Sequence, residues 1–191
     1  MSQSLIHWGL EWDESLPEEL IGEWNRLVSD LGEGGPISIP RSYFHLTSAP
    51  ATSVTLCGFC DASTHAYAAV VYLVTKTDVN TSVQFVVSKT RVAPLQTQTI
   101  PRLELLSALL LSRLVVSVSN SLQSTLSQLK VQCYADSQIA LYWICGTNRE
   151  WKPFVRNRVN EIRRNVHPSL WSHCPGISNP CLLYTSPSPR D

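Results

Sequence analysis

Short apolar runs separated by polar tracts fill the middle of this 191-residue chain. Three runs rich in Val, Ala and Tyr, at residues 54–60, 66–74 and 83–89, alternate with turn-forming segments, a pattern typical of β-strands. The polar segment 77–82 is short enough to join the last two runs as a tight turn. The pattern therefore predicts a three-stranded antiparallel meander over residues 51–92.

A long Leu-rich segment follows the meander. Thr99 stands at a possible cap position and Pro101 falls in the first turn, which together indicate the start of a helix. From Pro101 to Ser119 only three residues are charged: Arg102, Glu104 and Arg113. A helix that is apolar nearly all round is normally buried, so we expect this helix to pack in the core.

The remaining pattern completes an α/β domain. Residues 130–135 read as a strand that pairs in parallel, and the helical run after it ends at Gly146. Residues 149–165 form a basic amphipathic pattern, and residues 170–173 a last short strand. The predicted fold is α/β, with a mixed five-stranded sheet (three antiparallel strands, then parallel strands) and flanking helices.

Residues 1–50 form a separate pattern. Ser15-Leu16-Pro17-Glu18 matches a capping box, and the apolar residues after it share one helical face. A glycine-rich segment follows and predicts a linker. We expect one amphipathic helix and a linker here, apart from a main domain over residues 51–180.

The formal charge is zero, but it is unevenly distributed. Residues 1–40 hold eight acids and one base, whereas the rest holds seven acids and fourteen bases. A basic main body suits a polyanionic partner, although a solvated basic surface is a common alternative. The chain has no signal-peptide pattern, and its apolar segment 103–118 is too short and too charged for a membrane span. Six cysteines without a zinc pattern indicate free thiols in a reducing, intracellular compartment.

Three acids stand where secondary structure begins or ends. Asp61 ends the first strand, Glu104 lies early in the buried helix, and Asp136 follows the strand 130–135. Taken singly, each has an ordinary explanation: a turn cap, a favourable helix-dipole contact and a helix N-cap. Taken together, three carboxylates at one sheet edge would bind Mg²⁺ or Mn²⁺. Two such ions serve phosphodiester hydrolysis.

These segments resemble the ribonuclease H-like domain of BEL/Pao-type LTR retrotransposons. The motifs that carry the resemblance follow the family's order: F-C-D-A-S-T-H-A-Y-A-A-V-V-Y, I-P-R-L-E-L-L-S-A-L-L, Y-A-D-S-Q-I-A-L-Y-W-I, W-K-P-F-V-R-N-R-V-N-E-I and H-C-P-G-I-S-N-P. The resemblance implies an RNase H-like fold and hydrolysis of the RNA strand of RNA–DNA hybrids. It implies catalytic and metal-binding roles for Asp61, Glu104 and Asp136, with Mg²⁺ or Mn²⁺ as cofactor. Residues 1–50 would be the tail of the reverse transcriptase or connection region of the same polyprotein.

Contacts to the hybrid are expected in two groups. Residues beside the acids would meet 2′-hydroxyl groups: Ser63, Ser137 and Gln138. Basic residues of the amphipathic helix would meet phosphates: Arg149, Lys152 and Arg156. A solvated helix surface is the alternative for the second group.

The chain departs from the family pattern near its end. The family supplies a fourth acid in an Asn-Pro-Ala-Asp run that opens a final helix, whereas here Asn179-Pro180 is followed by Cys181, with no acid at the expected place. Residues 181–191 look like foreign sequence, so we expect the C-terminal helix to be missing and activity to be impaired. The alternative is a non-catalytic, connection-like module that binds nucleic acid. An aspartic protease is excluded because no Asp-Thr-Gly or Asp-Ser-Gly is present. The resemblance places the protein in the cytoplasm, a virus-like particle or the nucleus.

Overall fold

The computed structural model describes residues 14–36, 38, 51–123, 126, 128–147 and 150–181. The chain divides into two compact units, residues 1–42 and 43–191. In the first unit, helix α1 spans Glu18–Glu33. It begins after Pro17, which makes no side-chain cap, so the predicted capping box at Ser15 is wrong. Five apolar side chains of α1 are exposed: Ile21, Trp24, Leu27, Val28 and Leu31.

The second unit is built on one mixed sheet. Its strands are β1 (Ser53–Ala62), β2 (Ala66–Lys76), β3 (Thr81–Val92), β4 (Leu129–Ala135) and β5 (Trp171–His173). They lie in the order β3-β2-β1-β4-β5. The first three pair antiparallel, whereas β4 pairs in parallel with both β1 and β5. This confirms the predicted α/β fold with a mixed five-stranded sheet.

Three helices form one layer on this sheet: α2 (Ile100–Leu122), α3 (Gln138–Cys145) and α4 (Pro153–Asn165). One apolar cluster joins their buried residues to alternate strand residues such as Leu56, Val71 and Cys133. Side chains alternate across a strand, so these helices share one face of the sheet. Helix α2 is long and apolar enough to cross a membrane by length and composition. Here, Leu105, Leu111 and Val115 pack it into the core.

Glycine at position 58 lets α2 approach β1 closely. A Cβ atom added there would lie 2.5 Å from Leu111 Cδ1 and 3.3 Å from Val115 Cγ2. No real Cβ contact is as short as the first of these, so a side chain at this position would displace the helix or Leu111. Because α2 carries Glu104 near its start, this contact also bears on where that carboxylate lies.

The opposite face of the sheet carries a row of aromatic rings. Phe59 stacks on Tyr134 with ring centroids 4.9 Å apart, and Tyr72 meets Phe59 and Phe85 edge-on at 6.2 and 6.1 Å. Phe59 and Tyr72 also pack against a small buried cluster of Ala68, Val70 and Cys181. The chain after β5 therefore returns to this face at Cys181.

We expect Gly58→Ala to destabilise the second unit. Overpacking of a filled core costs about 1–3 kcal/mol, and the new methyl group would meet Leu111 first. Urea unfolding of Gly58→Ala, Leu111→Ala and the double variant measures the coupling. The cost of Gly58→Ala should shrink by most of its value in the Leu111→Ala background. An equal cost in both backgrounds would contradict the close approach.

Candidate active site

Two of the three acids lie side by side at one edge of the sheet. The parallel register of β1 and β4 pairs Phe59 with Tyr134 and Cys60 with Ala135. Asp61 is the next residue of β1, and Asp136 follows β4 directly. Asp61 has the same parity in β1 as Phe59 and therefore belongs to the aromatic face, and Asp136 lies one residue past the carboxyl end of the adjacent parallel strand. Asp61 is only 1% exposed, and a buried carboxylate is costly unless its charge is compensated.

The third acid is tied to the same edge by a hydrogen bond. Ser137 Oγ donates a short hydrogen bond to Glu104 Oε2. Ser137 directly follows Asp136, so this contact brings the α2 carboxylate to the end of β4. Glu104 and Asp136 lie 43 and 75 positions after Asp61 in the sequence. The fold thus brings all three acids to one region of the domain.

Serines next to two of the acids make the local capping hydrogen bonds. Ser137, rather than Asp136, is the N-cap of α3, and its hydroxyl accepts a hydrogen bond from the Ala140 N–H. At the β1–β2 turn the corresponding role falls to Ser63, whose hydroxyl accepts from the N–H groups of His65 and Ala66. Asp61 itself lies within β1, opposite Ala68. Neighbouring serines therefore make the caps that the pattern had offered to the acids.

The segment after β5 closes over this edge. Asn179 Nδ2 donates to the Cys60 carbonyl oxygen at 3.0 Å, and Asn179 Oδ1 accepts from the Cys181 N–H at 3.0 Å. Burial raises the pKa of the Cys181 thiol, and the negative charges of Asp61 and Asp136 raise it further, while a hydrogen bond from the Asp61 backbone opposes them. The charges of both carboxylates therefore contribute to the raised pKa of the Cys181 thiol. Neither Asn179 nor Cys181 was predicted to belong to the site. The Asn-Pro dipeptide was the one feature of the sequence that could have indicated them.

The donor atoms at this edge suit a hard cation. Three carboxylates offer the oxygen ligands that Mg²⁺ and Mn²⁺ prefer. Within the described ranges, however, no group of three or more His, Cys, Asp or Glu side chains is arranged to hold a metal ion. Glu104 accepts the Ser137 hydroxyl instead. The donor chemistry fits a divalent cation, and binding would require these side chains to reorient.

The remaining predicted contacts are spread over three elements. Ser63 is half-buried in the β1–β2 turn, and Gln138 is exposed in the first turn of α3. Lys152 is the N-cap of α4, and Arg156 is exposed on its first turns. Arg149 lies outside the described residues. Ser137 donates a hydrogen bond to Glu104, one of the proposed catalytic acids.

Comparison with known families identifies the chain. Residues 1–137 match the family described as the Pao retrotransposon-like RNaseH-like domain. This protein belongs to that family. The matched segment includes Asp61, Glu104 and Asp136, and it also includes α1. The fold prediction of an RNase H-like domain is therefore confirmed at the level of the family.

Solved structures give more distant similarities. RNase H1 from Halobacterium salinarum is 14% identical, with a TM-score of 0.44, 65% of this chain covered and 89% of that one. A compost-derived RNase H1 in complex with an RNA/DNA hybrid is 11% identical, with a TM-score of 0.42 and coverages of 67% and 89%. The N-terminal RNase H domain of a Mycobacterium tuberculosis protein is 11% identical, with a TM-score of 0.43 and coverages of 70% and 87%. Among curated proteins the chain matches none.

Ser137→Ala should destabilise the second unit by about 0.5–2 kcal/mol, the usual cost of losing an N-cap. It also removes the donor to Glu104. Thermal unfolding followed by circular dichroism measures the change. Ser121→Ala is the matched control, because its hydroxyl only donates to the Ser117 carbonyl within α2. Equal stabilities of the two variants would contradict the role assigned to Ser137.

Native cysteine labelling should separate one thiol from the others. Cys145 is exposed, whereas Cys60, Cys133, Cys174 and Cys181 are buried. Burial also raises the pKa of Cys133 to about 12 and that of Cys60 well above its ordinary value. Because the thiolate is the reactive form, labelling at pH 8 should proceed fastest at Cys145 and accelerate as the pH rises.

The urea-unfolded chain is the control for this labelling experiment, since all six thiols should then react at similar rates. Mass spectrometry of peptides resolves the sites. Rapid native labelling of Cys181 would show that the closure over Asp61 does not form.

Proposed function

We propose that this domain hydrolyses the RNA strand of RNA–DNA hybrids during reverse transcription, as part of a retrotransposon Pol polyprotein. The observation that carries the proposal is the placement of Asp61 and Asp136 at adjacent strand ends, with Glu104 linked to the same edge through Ser137. The family assignment supports it, and one distant structural neighbour is described in complex with an RNA/DNA hybrid. The basic composition of residues 41–191 agrees with a polyanionic substrate.

The three carboxylates would hold the cofactor, Mg²⁺ or Mn²⁺. When bound, a pair of such ions supplies an activated water and stabilises the leaving oxygen of an in-line displacement. Asp61 and Asp136 are fixed by their strands, so they would set the position of the scissile phosphate. Glu104 would exchange its Ser137 hydrogen bond for a place in the ligand set. Ser63, Ser137 and Gln138 would face the 2′-hydroxyl groups that distinguish RNA from DNA.

A second candidate function is hybrid binding without hydrolysis. It is favoured by the absence, within the described residues, of a group of acids arranged for a metal ion. It is also favoured by Asn179, Pro180 and Cys181, where the family pattern leads into a fourth acid. In that case the domain would serve as a connection-like module beside the reverse transcriptase part of the polyprotein.

Asp136→Asn should abolish cleavage of an end-labelled RNA–DNA hybrid in Mg²⁺. Metal-supported stabilisation is worth several kcal/mol, and each 1.4 kcal/mol is a tenfold change in rate, so a loss of at least about a hundredfold is expected. Asp78→Asn, at an exposed turn between β2 and β3, is the matched control. Mg²⁺ should also raise the melting temperature of the unaltered chain more than that of Asp136→Asn.

Cleavage retained by a folded Asp136→Asn variant would reject the nuclease assignment. Hybrid binding without cleavage by the unaltered chain, with or without Mg²⁺, would favour the binding module instead.

A further inference from the structure

Two arginines from different helices share one aromatic ring. The guanidinium carbon of Arg158 lies 3.5 Å from the centroid of the Phe154 ring, and that of Arg102 lies 4.9 Å from the same centroid. Phe154 and Arg158 are one turn apart on α4, whereas Arg102 lies in the first turn of α2. We call Arg102, Phe154 and Arg158 the arginine–phenylalanine cluster. The two guanidinium carbons can therefore be no further apart than the sum of their distances from the ring centroid.

Within the described residues, neither arginine of this cluster forms an ion pair with a carboxylate. The single ion pair within the described part of the chain joins Arg113 to Glu161, at 2.7 Å. Arg158 Nη1 donates to the Phe154 carbonyl oxygen at 3.0 Å, and Arg102 Nη1 to Gln98 Oε1 at 3.5 Å. Arg158 Nε is buried and has no hydrogen-bond partner among the described atoms. Both arginines therefore keep their full charge and most of their donors.

Holding like charges together in this way is unfavourable for the isolated domain. Burial lowers the pKa of Arg158, and the positive charges of Arg102 and Arg113 lower it further, against the opposing influence of Tyr67 and of the Glu161 carboxylate. The aromatic ring recovers part of this cost, because a cation over an aromatic face is attracted to it. An anion between the guanidinium groups would recover more, since arginine donors match the oxygens of a phosphate in pairs.

The cluster lies where α2 and α4 pack together, since its members come from these two helices. Arg102 precedes Glu104 by two residues on α2, a rise of about 3 Å along the helix axis, although residues two apart on a helix point to different sides. A further basic residue lies on β3, where Arg91 stands opposite Tyr67 of β2. Tyr67 in turn influences the pKa of both Arg113 and Arg158. An anion held at the cluster would therefore lie at the contact of α2 with α4.

We propose that Arg102 and Arg158, pre-oriented by Phe154, bind one backbone phosphodiester of the nucleic acid and so help to position the duplex on the domain. This proposal rests on the function proposed above for its choice of ligand. The residues act as positioning residues, because they contact the backbone and not the reacting atoms. Arg158 lies on the basic helix for which phosphate contacts were expected, whereas Arg102, on α2, lies outside it.

The test is hybrid binding as a function of salt, with EDTA present so that cleavage does not interfere. Each lost phosphate contact should reduce the slope of log K against log salt by about 0.9. Arg102→Gln and Arg158→Gln should each show this reduction and weaker binding to every hybrid sequence. Arg164→Gln is the matched control, because Arg164 is exposed on a different side of α4 and loses the same charge. Arg158→Lys keeps the charge and should retain the slope.

Equal slopes for Arg158→Gln, Arg102→Gln and the unaltered chain would overturn the proposal, as would the same reduction in Arg164→Gln. Circular dichroism confirms that each variant folds before it is compared. If Arg158→Gln does not fold, Arg102→Gln alone decides by the same criterion.

A chain that binds no hybrid at all would contradict the proposed function, and a second arm then decides the subsite. Inorganic phosphate is titrated into ¹⁵N-labelled protein, and the Arg Nε–H signals are followed. Shifts at Arg102 and Arg158 without a shift at Arg164 would support the phosphate subsite. Absence of such shifts, or equal shifts at all three arginines, would overturn it.

Discussion

The parallel pairing of β1 with β4 is the constraint on which the site depends. This register leaves Asp61 and Asp136 as neighbours at the edge where both strands end. A one-residue slip of either strand would turn one carboxylate to the opposite face. Withdrawing such groups from water costs several kcal/mol per charge, so the fold maintains an arrangement that the apolar core alone would not favour. The pairing is stabilised on one face by α2 and on the other by the Phe59–Tyr134 stack.

The other parts of the domain extend this arrangement. Gly58 allows α2 to approach β1, and α2 brings Glu104 to the sheet edge. Ser137 caps α3 and at the same time holds Glu104, so one hydroxyl links the start of a helix to a proposed catalytic group. Asn179 then ties the last described segment to the backbone of β1. Stability and site geometry thus share the same hydrogen bonds.

Most of the fold could be predicted from the sequence, because long segments with a clear hydrophobic periodicity are compatible with few secondary structures. The five strands and the three helices of the second unit appeared where they were predicted, with ends that differ by a few residues. Local capping was harder to predict. Ser15 and Asp136 are both of a residue type that commonly caps helices, yet the N-cap positions are Pro17 and Ser137. The path by which the chain enters each helix decides which neighbouring residue lies at the N-cap. Phe154 shares the apolar periodicity of the segment 149–165, but a ring that packs against two arginines has the same periodicity as a core residue. The closure by Cys181 had no local signal, since it depends on contacts with strands more than a hundred residues earlier.

The two candidate functions make different demands on charge. A module that only binds nucleic acid gains from positive groups and loses from every carboxylate that faces the phosphates. Here Asp61 and Asp136 stand at adjacent strand ends, Glu104 is bonded to Ser137, and two arginines without an ion pair within the described residues share the Phe154 ring. Such an edge would repel the backbone that the arginines attract, unless a cation neutralised the acids. A divalent ion bound by the acids would remove this conflict. The acidic edge is therefore more consistent with the proposed metal-dependent hydrolysis than with binding alone.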